Sequence, residues 1–247
     1  MGIAVLAAFG LLALLTVAVA CSESESGNKA APGTGSSDFQ AAAQGAVDSA
    51  LLTLKDLPAG WSASAPESEA EIPDIELKGE CADLDDEVVS PGEAASAQSG
   101  DFTGPEEQEV SSDASAFSDE GSAQEAIKTA RSLLSRCSDE LVTASDKLFR
   151  DLLEQEVGAG VVERLGVTFE ELTAPNFGDD AVAYRLTVKV TVLGLPLEIK
   201  IDFLGIRVGR MLGGLSYLAV DTLNFAEEQG LARTLTEKLE EADASLP

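Results

Sequence analysis

The sequence predicts an α+β fold, an antiparallel β-sheet with helices packed mainly on one side, and three observations carry that expectation. Between Val182 and Phe203 apolar residues alternate with polar ones on both sides of a short turn, as a hairpin with one wet face requires. Ahead of and behind this region, apolar residues recur three or four apart, the spacing of amphipathic helices. The strands follow one another through tight turns while the helices are grouped around them, which is the order of an α+β chain rather than of alternating βαβ units.

Along the chain, helical spacing begins with Phe39, Ala43, Ala46, Val47, Ala50, Leu51 and Leu54 and stops at Pro58 and Gly60. Trp61, the only tryptophan, follows directly, and its large ring is expected in the core or as a lid. Residues 62–106 carry Pro66, Pro73, Pro91, Pro105 and many acids, and read as loops with short strands. A strand is expected over about 108–117. The clearest helix covers about 122–137. Ser122-Ala-Gln-Glu125 matches a capping box, and Ala123, Ala126, Ile127, Ala130, Leu133, Leu134 and Cys137 share one face, so Cys137 points inward. A second helix is expected through Leu141, Leu148, Phe149, Leu152 and Val157, ended by Gly158 and Gly160.

A strand near Leu165, Val167 and Phe169 precedes the hairpin, whose strands cover 182–192 and 197–203 around Gly194-Leu195-Pro196. The alternation slips at Leu204-Gly205, which predicts a bulge. Arg207-Val208-Gly209-Arg210 then turns the chain into a strand over 211–220. Gly209 suits a turn needing positive φ, and Arg207 and Arg210 are expected to pair with surface acids. A helix over about 224–242, capped by Asn224, closes the chain and packs Phe225, Leu231, Leu235 and Leu239.

Charge narrows the function. The 247 residues hold 44 Asp and Glu against 16 Lys and Arg, a formal net charge of −28, and no histidine. Nucleic-acid binding, which draws on Lys and Arg to replace phosphate counterions, is disfavoured, and so is a polybasic grip on anionic lipid. Without histidine, every Ser-His, Cys-His or His-metal constellation is excluded. Acids outnumber bases 24 to 3 between Ser22 and Glu125, and 20 to 13 thereafter. A solvated, association-resistant surface accounts for this. Calcium is the sharper alternative, resting on Asp83, Asp85, Asp86 and Glu87, a cluster without the spacing of a known calcium loop.

The N-terminus supplies an address. From Ile3 to Ala20 eighteen residues pass without a charge, compatible with an export signal and near the lower limit of a membrane span. Thr16-Val17-Ala18-Val19-Ala20-Cys21, followed by Ser22-Glu23-Ser24-Glu25-Ser26-Gly27, resembles a bacterial lipoprotein signal. That resemblance implies cleavage before Cys21 and lipid, palmitate included, on its thiol. An uncleaved single-span anchor is the alternative. Met1-Gly2 also opens like a myristoylation site, against which the long apolar run argues. Residues 1–20 thus read as signal peptide, 21–38 as a flexible linker with the lipidated N-terminus, and 39–247 as a single α+β extracytoplasmic domain on the outer side of the cell membrane.

Two thiols remain, Cys81 and Cys137, in a chain read as exported to an oxidising compartment, and they can pair only with each other. The alternative is two separately buried free cysteines. Their separation of 56 matches no zinc pattern, and no metal or other cofactor is expected.

Leu54-Lys55-Asp56-Leu57-Pro58-Ala59-Gly60-Trp61 resembles the Leu-Pro-x-Gly-Trp entry of actinobacterial envelope lipoproteins. The helix ending at Cys137 and the segment Ile206-Arg207-Val208-Gly209-Arg210 are similar to the same proteins and to the extracellular sensor domain of PknH-type receptor kinases. Pro-x-Gly-Trp also occurs in Mog1/PsbP-like folds. The resemblance spans about 190 residues and implies a non-catalytic, sensor-like module that binds a small molecule, a lipid or a protein partner in the envelope. A lipid or glycolipid carrier is the alternative. A hydrolase is less favoured, since the neighbouring carboxylates Glu170 and Glu171, or Asp179 and Asp180, would point to opposite faces of a strand and no Gly-x-Ser-x-Gly is present. No catalytic residue is assigned.

Overall fold

The computed structural model describes residues 37–64, 81, 92–158, 162–174 and 176–247. The expected signal peptide, Cys21, most of the linker and the acidic cluster at 83–87 lie outside the described residues. The first helix, α1 (Ser37–Ala50), buries Ala43, Ala46, Val47 and Ala50, whose small side chains let it lie close to the sheet. It ends before Leu54. The Leu52 amide donates to Ser112 Oγ at 2.9 Å and the Thr53 amide to Asp56 Oδ2 at 2.8 Å, so side chains capture the backbone that would have made another turn.

Three short strands follow, β1 (Ser62–Ala63), β2 (Glu93–Gln98) and β3 (Phe102–Thr103), and then β4 (Glu109–Phe117). The long helix α2 (Glu120–Val157) leads to β5 (Val162–Leu172), β6 (Asp180–Val192), β7 (Leu195–Val208) and β8 (Met211–Val220). The helix α3 (Phe225–Ser245) closes the chain. All pairings are antiparallel, in the order β1-β3-β4-β8-β7-β6-β5, with β2 also on β4.

The two helices expected around Cys137 are one. No glycine or proline stands between Gly121 and Gly158 to break it, and its internal hydroxyls bond its own carbonyls, Ser138 to Ser135 and Thr143 to Asp139. At 1.5 Å per residue it runs about 57 Å. Its cap is Asp119, not Ser122: an Asp119 oxygen accepts the Ser122 amide at 2.9 Å, and the Ser122 hydroxyl donates to the other oxygen. These bonds lower the Asp119 pKa.

The sheet is covered on both faces, where the alternation had pointed to cover mainly on one. One face carries α1 and α3, packed on Ala114, Leu204, Leu215 and Tyr217; Trp61 joins this core with its ring 6.5 Å from that of Tyr217. The other face carries α2, whose Leu148 and Phe149 meet Val167, Leu186, Val188 and Ile199. This explains the slip at Leu204-Gly205. The register of β7 on β6 and β8 runs through it without a bulge. Ile199 and Ile201 face α2, while Leu204 and Ile206 face the opposite core. One straight strand therefore changes which of its faces is dry.

The hairpin turn is Leu193-Gly194, with φ of 52° and 78°, one residue ahead of the expected turn; Leu195 and Pro196 already belong to β7. Gly209 turns β7 into β8 at φ 53° as expected.

Candidate functional site

The turn at Leu193-Gly194 sets a register that places Arg185 of β6 directly opposite Asp202 of β7. Both lie on the face covered by α3. Arg185 Nε and Nη2 donate to the two carboxylate oxygens at 2.6 Å each, and the side chains are only 14% and 3% exposed. A planar guanidinium matches a carboxylate in this way, and burial removes the water that would otherwise screen the pair.

Above the pair sits the first turn of α3, started by Asn224, whose side chain accepts the Glu227 amide. This turn brings Phe225 and Glu228 over β6 and β7. The Phe225 ring centroid lies 5.2 Å from the Arg185 guanidinium carbon. Phe225 is not a core residue as its sequence position had implied; it is 55% exposed. Six residues separate it from Leu231, so it falls off the stripe of Leu231, Leu235 and Leu239 and becomes the lip of a pocket.

That pocket has a volume of about 200 Å³. Leu172, Phe177, Leu204 and Phe225 contribute apolar walls, while Arg185, Asp202 and Glu228 form a polar floor. Burial pushes the Glu228 carboxyl up to about 7; the Asp202 carboxylate, by charge and by a hydrogen bond, pushes the same way, and Arg185 opposes both. The pocket therefore brings together the Arg185–Asp202 pair and a Glu228 carboxyl that its surroundings incline to keep its proton.

A second, smaller cavity of about 60 Å³ lies under α2, lined mostly by apolar groups and by Asp113 of β4. Gly214 makes room for this carboxyl, since a Cβ there would collide with it. Asp113 accepts a backbone bond from Gly214, but its Oδ2 is buried with no hydrogen-bond partner among the described residues. Burial, with the negative charge of Glu93 second, raises its pKa to about 7. The native state consequently holds this proton where the unfolded chain has lost it, so stability falls as pH rises from about 4 to about 7. An ionised Asp113 costs on the order of 4 kcal/mol at pH 8. Asp113→Asn removes that cost but leaves an amide donor unpaired, for a net gain of about 2 kcal/mol at pH 8 that vanishes near pH 5 and becomes a loss at lower pH. Urea unfolding across this range checks it, and a pH-independent difference would contradict a buried ionisable carboxyl.

The remaining expected residues fall as follows. Cys81 and Cys137 are joined, Cα to Cα 5.8 Å, beside Leu134, Leu141 and Phe169. Glu170 and Glu171 sit on opposite faces of β5; Glu170 shares the Arg185 face and Glu171 adds negative charge near Tyr184. Asp179 accepts from Arg207 at 3.2 Å and from the Gly209 amide, while Asp180 pairs with Arg131 at 2.9 Å. Arg210 lies 3.7 Å from Asp243. Both turn arginines thus pair with acids. Among the described residues no cluster of metal-ligating side chains occurs, and no helix is long and apolar enough to cross a membrane.

Fold and site together define an α+β protein built on one antiparallel sheet, with a solvent-open pocket floored by a buried ion pair. No family model and no curated protein matches the chain. Among solved structures it is similar to the extracellular domain of PknH from Mycobacterium tuberculosis, with 12% identity and a TM-score of 0.44, over 81% of this chain and 97% of that one. It is also similar to an uncharacterized protein of Mycobacterium smegmatis, the Rv0999 ortholog, with 10% identity and a TM-score of 0.31, over 78% and 92% of the two chains.

Proposed function

We propose that this chain is a non-catalytic, extracytoplasmic binding protein, tethered to the cell membrane by lipid on Cys21, whose ligand site is the pocket over Arg185 and Asp202. The pocket carries this reading: it pairs apolar walls with a few convergent polar groups, the composition of small-molecule sites. The tether rests on the apolar run ending at Cys21 and the polar segment after it. Each buried CH2 of an acyl chain contributes roughly 0.8 kcal/mol, so two or more chains give lasting attachment without any protein contact with the bilayer.

Lipid transport is less well supported, because about 200 Å³ falls below the roughly 300 to 1,000 Å³ of drug-sized sites. Hydrolysis would need two free carboxylates flanking one bond, and Asp179 and Asp180 are both engaged by arginines.

Mass spectrometry of protein extracted from membranes tests the tether. A chain beginning at acylated Cys21 is expected, and Cys21→Ala is expected to abolish acylation and cleavage. An intact, unacylated chain in the cytosol would refute the assignment. A small molecule that co-purifies with the wild type and is lost on Phe225→Ala would support the pocket.

A further inference from the structure

Resting on the reading of this pocket as a ligand site, we propose that it takes a small organic ammonium compound, with the cationic head against Glu228 and the apolar body between Phe225 and Phe177. The charges lining and surrounding the pocket lead to this. Among the described residues that line it the only cation is Arg185, already held by both oxygens of Asp202. A ligand carboxylate or phosphate would meet a guanidinium whose charge Asp202 already balances, and would have to approach it beside further acids. Glu228 adds a second acid from α3, and Glu170 a third from β5 on the same face.

The other nearby charges do not reverse this balance. Lys200 turns to Glu198 at 3.2 Å and to the Asp221 carbonyl. Glu227 on the same helix turn accepts from the Tyr217 hydroxyl at 2.8 Å. With Glu228 ionised, its carboxylate and those of Asp202 and Glu170 face one guanidinium. A ligand ammonium compensates the excess, taking the place of the proton that Glu228 otherwise holds. Phe225 lies against the Arg185 guanidinium and remains 55% exposed, which leaves aromatic surface for the ligand. A neutral ligand could use the walls but would leave the Glu228 charge unmatched.

Three probes of nearly equal size and different charge separate the possibilities: benzylamine, benzyl alcohol and benzoate, titrated calorimetrically into the full mature chain. Benzylamine, charged throughout, is expected to bind about tenfold more tightly at pH 8 than at pH 6, as Glu228 loses its proton. Glu228→Gln is expected to remove that dependence and weaken binding at pH 8 by about tenfold, with its fold checked by circular dichroism. Benzoate is expected not to bind. Benzyl alcohol or benzoate binding as tightly as the amine would overturn the cation assignment and leave the pocket standing. Benzylamine binding unchanged in Glu228→Gln would overturn the assignment of its head group. Failure of all three to bind would overturn both the ligand class and the pocket as a site for molecules of this size.

Discussion

Asp202→Ala is expected to destabilise the protein by about 3 to 5 kcal/mol, because it leaves the Arg185 guanidinium buried without its carboxylate. The loss comes from burial rather than from the attraction itself. Arg131–Asp180 and Arg150–Asp146 are ion pairs too, but their side chains are 29% to 41% exposed, so water replaces a missing partner and the expected loss is below about 1 kcal/mol. Arg185 is 14% exposed. Replacing both partners with apolar residues of similar volume is expected to cost much less than removing Asp202 alone.

The loss should also depend on pH. In the wild type Glu228 has a raised pKa, so its ionisation weakens the fold as pH climbs through about 7. Without Asp202 beside it, Glu228 loses a repelling neighbour and becomes the nearest partner for Arg185, so it ionises earlier and stabilises the variant. The deficit is therefore largest near pH 5 and shrinks toward pH 8. Urea unfolding of wild type and variant at the two pH values measures this. An equal deficit at both would mean that Glu228 does not interact with the pair.

Serine at both Cys81 and Cys137 is expected to cost about 4 kcal/mol, the chain-entropy value for closing a loop of about 57 residues. The native surroundings add to it, since Cys137 is 1% exposed on α2 and Cys81 packs with it against Leu134 and Leu141. Two hydroxyls there would lack that apolar match. The denaturation midpoint of the double variant, compared with wild type with and without reductant, measures the effect. A wild type unaffected by reductant would show that the bond does not form.

Local patterns survived folding wherever the chain obeyed one rule throughout an element. The alternation over 182–192 became β6, and the stripe of Leu231, Leu235 and Leu239 became the buried side of α3. Errors arose where a local signal met a competitor, either a neighbouring residue or a second core. Ser122-Ala-Gln-Glu125 matched a capping box, yet Asp119 stood three residues earlier and took the Ser122 amide. The slip at Leu204-Gly205 looked like a bulge because alternation was taken to mean one dry face, whereas β7 passes between two cores.

The pocket shows the same division residue by residue. Arg185 and Asp202 were visible as polar positions in a hairpin and were assigned to the wet face. Their pairing was within reach, because a two-residue turn at Leu193-Gly194 makes position 185 face 202 and 189 face 198, each with opposite charge. Asp113 carried no such signal. Nothing in Ser-Ser-Asp-Ala-Ser distinguishes a carboxyl on a solvated strand from one sealed under a helix.

The amino-acid order by itself determined the α+β class, the inward turn of Cys137, the positive φ at Gly209 and the apolar run before Cys21, because each depends on neighbours within a few residues or on composition alone. Only the tertiary structure decided that α2 covers one face while α1 and α3 cover the other, that Phe225 forms a lip, and that Glu228 and Asp113 are pressed toward neutrality. Burial and charge at those positions come from elements tens of residues away, and desolvation depends on what lies above a side chain rather than on its neighbours in sequence.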